Sequence, residues 1–152
     1  MYITHENVNS GFLTDDLNDL IRRHYDLLEG YRDALYKVRA PSLRQVFDGV
    51  VRGHKRAIEA LATVVRAHHK DASDGPDMGA VPTRMGVLLG QLLSEIAIVQ
   101  ALLASEKKLL RMYTAAINTL VYLPEFEQVL VANRLDTQKR IARLELAIGP
   151  DG

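Results

Sequence analysis

Residues 14–41 read TDDLNDLIRRHYDLLEGYRDALYKVRAP, and one period runs through them. Leu17, Ile21, His24, Leu28, Tyr31, Leu35 and Val38 follow at alternating four- and three-residue steps. That spacing lines a single seam along an α-helix. Thr14 is placed to cap the helix, and Asp15 and Asp16 set negative charge against the positive end of its dipole. Ala40-Pro41 stops it, because the residue ahead of a proline is pushed out of α geometry. The stretch predicts a helix from Thr14 to Val38.

The same period recurs downstream. Ser42-Leu-Arg-Gln45 has the spacing of a capping box, which predicts a second helix to His69 with Val46, Phe47, Val50, His54, Ala57, Ile58, Leu61 and Val65 on one face. Only about two residues separate the two helices, so they are antiparallel neighbours. From Lys70 to Pro82 the chain reads KDASDGPDMGAVP, a connection without regular structure of its own. Apolar periodicity then persists to Val121 and is split near Ser94-Glu95. A short helix is expected from Thr83 to Ser94, and a main third helix from there to Val121. Leu123-Pro124-Glu125 opens the fourth, whose inner face is Phe126, Val129, Leu130, Asn133, Thr137, Ile141, Leu144 and Ile148, and Gly149-Pro150 closes it.

These readings give an all-α fold: an antiparallel four-helix bundle over residues 14–148, with an N-terminal segment at 1–13 and a tail at 149–152. Each main helix is about 25 to 28 residues, or roughly 40 Å. Two tight hairpins joined by one long crossover, carrying the short extra helix, is the ferritin-like arrangement. A plain up-down-up-down bundle is the alternative.

Composition narrows the function. The 152 residues suit one domain with a real core. Lys+Arg and Asp+Glu are 19 each, so no overall positive field recruits nucleic acid or an anionic membrane. Without cysteine there is no thiol nucleophile, thiolate metal site or disulfide. No signal peptide or bilayer-spanning run is visible, and a cytoplasmic location is expected. No phosphate loop or nucleophile–base arrangement stands out.

The run from Leu17 to Ile21, then Gly30-Tyr31, Ala34, Val38 and Leu43, resembles the opening hairpin of a bacterial ferritin-like family of uncharacterised function. Lys139 to Leu144 is similar to its last helix, and Glu106 with Tyr113 to its third. The resemblance spans residues 14–146 and implies a four-helix ferritin-like bundle with a crossover helix. It supplies no activity.

A ferritin-like di-iron centre takes an inward Glu from each of two helices and Glu-x-x-His from the other two. This chain has no Glu-x-x-His: Val51 stands three before His54, Ile21 before His24 and Val65 before His68. What remains is a set of inward polar residues. With the crossover topology, Tyr31, His54, Glu106 and Arg140 fall within about one turn of a common level. His24, Tyr113 and Asn133 form a second layer. Glu106 lies in the middle of the third helix's apolar face, whereas Glu29, at the matching place in the first helix, points away from its seam.

Two expectations follow. In one, these residues form a buried hydrogen-bond network, with Glu106 paired to Arg140 or His54, because an unpaired buried carboxylate costs several kcal/mol. In the other, His54 and Glu106 hold one iron or manganese ion. No cofactor is expected on the first reading. It leads to a non-catalytic bundle working through self-association, as a homo-oligomer and specifically a dimer, or through a protein partner, in a stress context. No nucleic-acid or membrane partner is expected.

Overall fold

The computed structural model describes the backbone of residues 5–76, 94–119 and 123–149, and side chains from Thr14 onward. Among these residues are four helices: α1 (His5–Lys37), α2 (Pro41–Ala67), α3 (Glu95–Thr119) and α4 (Pro124–Ile148). Among the described residues there is no strand. The expected short helix at residues 83–94 lies almost wholly outside them, as does the end of the third helix at Val121.

Two ends differ from the sequence reading. First, α1 begins at His5, nine residues before the expected cap. Thr14 sits inside the helix and is 1% exposed. Gly11, the one glycine in the added stretch, costs a helix only about 1 kcal/mol. Second, the capping box does not form. The N-cap of α2 is Ala40, with no side-chain cap bond, and Pro41 occupies the first turn. A proline with φ already fixed starts the helix one residue before Ser42 can cap it.

The turn is secured from elsewhere. The Glu95 carboxylate at the start of α3 accepts from the Arg39 and Ala40 amides at 2.6 and 3.4 Å. The Arg44 guanidinium donates back to the Leu35 and Val38 carbonyls. At the other end of the bundle, the Asn18 amide donates to the Asp71 carbonyl at 3.0 Å and accepts from the Ser73 amide at 2.9 Å. These bonds hold the chain leaving α2 against α1. His68 caps α2, ending it two residues short of the expected His69, and lies 3.1 Å from Glu125 at the start of α4.

Helix α1 packs against α2 and α3, and α4 against the same two. The contacts give the directions. His24 meets His54 while Tyr31 meets Phe47, so α1 and α2 are antiparallel. His24 meets Tyr113 while Tyr31 meets Glu106, so α1 and α3 are too. Asn133 meets Tyr113 and Arg140 meets Glu106, which makes α3 and α4 antiparallel. Helices α2 and α3 therefore run parallel on a diagonal. α3 begins beside the α1–α2 turn, at the end opposite to where α2 stops. That excludes the up-down-up-down alternative.

The seam predicted for α1 is inside: Leu17, Ile21, Leu28, Tyr31 and Val38 are at most 2% exposed, facing Phe47, Val50, Leu61, Leu102, Leu109, Phe126, Leu130 and Leu144. Each such aliphatic or aromatic side chain contributes about 1.5–3 kcal/mol by leaving water. Into this apolar interior the same helical faces carry His24, His54, Glu106, Asn133, Thr137 and Arg140.

Candidate functional site

All seven polar residues singled out from the sequence meet in one buried row between the helices. Glu106, on α3, is its hub. Its Oε1 accepts from the Tyr31 hydroxyl of α1 at 2.9 Å and lies 2.5 Å from His54 Nε2 of α2. Its Oε2 lies 3.3 Å from Arg140 Nε of α4. Four helices thus converge on one carboxylate. The second layer starts at His24 on α1, whose Nε2 is 2.6 Å from the Tyr113 hydroxyl of α3. The Asn133 amide of α4 donates to that hydroxyl at 3.1 Å. The layers are joined by a direct contact between the two histidines, Nδ1 to Nδ1, at 2.7 Å.

The connectivity fixes where the protons sit. An ionised carboxylate only accepts, so His54 Nε2 carries hydrogen and donates to Glu106. A neutral His54 then has a bare Nδ1, and the 2.7 Å contact requires His24 Nδ1–H to donate to it. His24 Nε2 is left bare and accepts from the Tyr113 hydroxyl, whose oxygen in turn accepts from Asn133. Every donor meets an acceptor along Asn133, Tyr113, His24, His54 and Glu106. If His54 were an imidazolium, His24 would have to donate to Tyr113. The tyrosine oxygen would then accept twice, while its own hydrogen found no partner in the row.

The electrostatics agree. Burial lowers His24 well below the usual histidine range, and neighbouring His54 and Arg140 lower it further. Burial also lowers His54, against the raising effect of Glu106 and its hydrogen bond. For Glu106 burial pushes upward, but His54, Arg140 and the Tyr31 hydroxyl outweigh it and hold the carboxyl at about 2. Burial raises both tyrosines, and for Tyr31 the adjacent Glu106 charge adds to the effect. At neutral pH the row therefore holds one negative carboxylate and one positive guanidinium, with both imidazoles uncharged.

Arg140 is held by two contacts. Its Nε faces Glu106, and its Nη2 donates to the Thr137 hydroxyl at 2.7 Å, while Thr137 donates onward to the Asn133 carbonyl at 2.8 Å. Its Nη1 is buried with no hydrogen-bond partner, the one such side-chain atom among the described residues. Sequence periodicity found Arg140 but missed Asn18, which is 8% exposed and ties the residues after α2 in place. The signal was available: Thr14, Asn18 and Ile21 share the flank of the α1 seam at helical spacing.

The donor set fits a metal poorly. Two ligand atoms bound to one ion at about 2.1 Å each stand about 3 Å apart or more. His54 Nε2 and Glu106 Oε1 are 2.5 Å apart, in hydrogen-bond contact, and the other carboxylate oxygen faces a cation. Among the described residues no group of three or more His, Cys, Asp or Glu comes together to hold an ion.

The family model described as "Domain of unknown function (DUF2383)" matches residues 13–119. The chain belongs to the DUF2383 family. The match takes in α1 from Leu13, α2 and α3, and with them His24, Tyr31, His54, Glu106 and Tyr113. Helix α4, which supplies Asn133, Thr137 and Arg140, lies beyond the part matched to DUF2383. Comparison with curated proteins and with solved structures gives no match.

Proposed function

We propose that this DUF2383 protein is a non-catalytic, ferritin-like bundle that works by self-association, with the outer face of α4 as the contact between two copies. The ferritin-like reading is supported by the two antiparallel hairpins and the parallel run of α2 and α3, which call for a connection along the bundle.

The observation that carries the reading is a second apolar face on α4. Leu130, Asn133, Thr137, Ile141 and Leu144 face the core. On the opposite side Val131, Leu135 and Leu146 are 40, 50 and 82% exposed, with Ala142 between them in an exposed position. At 100° per residue these four lie within about 60° of one another, a narrow stripe of the kind that seats against a partner helix. A helix needs one apolar side to join a bundle, and a second one has use only when something covers it. The closed state of Glu106, with both oxygens engaged, supports the non-catalytic part.

Sedimentation velocity from about 1 to 200 µM, the range in which weak homodimers dissociate, tests this. The expected result is a concentration-dependent dimer, converted to monomer by Leu135→Lys or Leu146→Lys with helix content unchanged. A monomer throughout the range refutes the reading.

The rival reading is a mononuclear iron or manganese site. Its support is that His54 and Glu106 adjoin in a fully buried setting. It would require Arg140 to turn away and the His54–Glu106 contact to open. Elemental analysis after growth with added metal decides it: less than about 0.1 ion per chain, unchanged in His54→Ala, removes it.

A further inference from the structure

Gly49 and Gly53 lie one turn apart on the side of α2 that faces α4. The atoms nearest to the place a Gly53 side chain would take all belong to arginines: Arg140 Nη1 at 3.5 Å, Arg56 Nη2 at 3.7 Å and Arg140 Cδ at 3.8 Å. Gly49 has the same surroundings, with Arg52 Nη2 at 3.8 Å and Arg143 Nη1 at 4.0 Å. Two guanidinium pairs, each with one member from α2 and one from α4, therefore straddle bare helix backbone.

Only Arg140 of these four has a counterion among the described residues, Glu106. Among the described residues Arg52, Arg56 and Arg143 form no ion pair. The nearby acids are otherwise engaged or stand apart. Glu59 pairs with Arg66 and Glu145 with Lys107, while Asp48 and Asp136 pair with none of the four arginines. Gathering like charges is unfavourable unless an anion joins them. An independent observation points the same way: Arg140 Nη1, on a residue 3% exposed, is the buried donor without a partner among the described residues, and it lies beside Gly53 next to Arg56.

We propose that this face of α2 and α4 is an oligophosphate-binding site. Arg52, Arg56 and Arg143 would grip the ligand from the rim, and Arg140 Nη1 would supply a donor at the floor. Guanidinium forks match phosphate oxygens in pairs. The two pairs are set by glycines four residues apart, about 5–6 Å on a helix. One phosphate reaches a single pair, whereas a row of three reaches both. The missing side chains let the anion approach the helix backbone closely. Nucleic acid fits less well, because the basic residues form a compact patch and the chain as a whole is neutral.

Calorimetric titration of the full chain with inorganic tripolyphosphate at about 50 mM salt tests the site. Saturable one-to-one binding is expected, with orthophosphate and a short single-stranded DNA each at least about ten-fold weaker. Arg56→Ala/Arg143→Ala should weaken tripolyphosphate at least about ten-fold, whereas Lys108→Ala/Arg111→Ala on α3 should leave it unchanged. Gly49→Glu, which places a carboxylate between Arg52 and Arg143, should abolish binding with the urea midpoint kept or raised. No saturation by about 5 mM tripolyphosphate overturns the proposal. So does equal weakening in the α3 variant, which marks unspecific charge, or DNA binding that tripolyphosphate does not displace.

Discussion

Acidification from pH 7 to pH 5 should cost this fold about 2–4 kcal/mol, nearly all of it through His24 and His54. Both imidazoles are fully buried and lowered from the usual value of 6.5. Facing them are Glu106 and Tyr113 of α3, Arg140 of α4 and, on α1, Tyr31. A histidine kept neutral in the fold but free to ionise in the unfolded chain lends stability that is intact above pH 6.5. That stability is lost as pH falls, because only the unfolded state then takes up the proton. Integrating from pH 7 to 5 gives about 2 kcal/mol for each histidine held neutral throughout. The two cannot both charge inside the fold, since their 2.7 Å contact has room for one hydrogen. With a urea m-value of about 2 kcal/mol/M, the midpoint should drop by about 1–2 M. Urea unfolding followed by far-UV circular dichroism at several pH values reads this directly. Imidazole nitrogen shifts in the folded protein report the tautomers, with hydrogen on Nε2 of His54 and on Nδ1 of His24. A loss of less than about 1 kcal/mol, or an imidazolium signal from either residue above pH 6, refutes the reasoning.

Three further outcomes follow from named contacts. Arg140→Met leaves Glu106 buried without its cation and should destabilise the fold by about 3–5 kcal/mol in urea unfolding. Adding Glu106→Leu should recover a large part of that loss, because a buried pair removed together costs far less than one partner alone. Asn18→Ala gives up both bonds to residues 71 and 73. It should cost about 1–2 kcal/mol and speed proteolytic cleavage just after α2. Below pH 4.5 the Glu106 carboxyl adds its own acid dependence. Held at about 2 in the fold, it lends stability that is complete above the unfolded value of 4.5 and gone once pH falls through 2. Glu106→Gln should flatten the stability profile in that window.

Much of this architecture was legible from helical period alone. Period tells which residues share a face, and with the crossover topology it also tells which share a level. That placed Tyr31, His54, Glu106 and Arg140 together, and His24 with Tyr113 and Asn133. It also separated Glu106, buried among leucines, from Glu29, which is half-exposed at the matching place on α1. Period could not give the contact between the layers, because the Nδ1-to-Nδ1 bond depends on ring rotations. Nor could it place the ends. A capping box is a local preference of about 1 kcal/mol, and Pro41, with Glu95 holding the turn amides from another helix, overrides it. Helix α1 starts ahead of Thr14 for a similar reason: a residue suited to capping does not cap when the chain before it can continue as helix.

The direction of the buried row has one more effect. Each of its hydrogens points toward Glu106, and none can turn alone without setting two donors or two bare acceptors face to face. Reversing the row would also put a proton on the carboxylate, which its neighbours oppose strongly. The negative charge on α3 thus orients hydrogens as far as Tyr113, two turns away on the same helix, through side chains borrowed from α1 and α2. A shift of any one helix by a turn would break this alignment at more than one joint. The row therefore acts as an index mark for the bundle, so that only one way of stacking the four helices leaves every hydrogen answered.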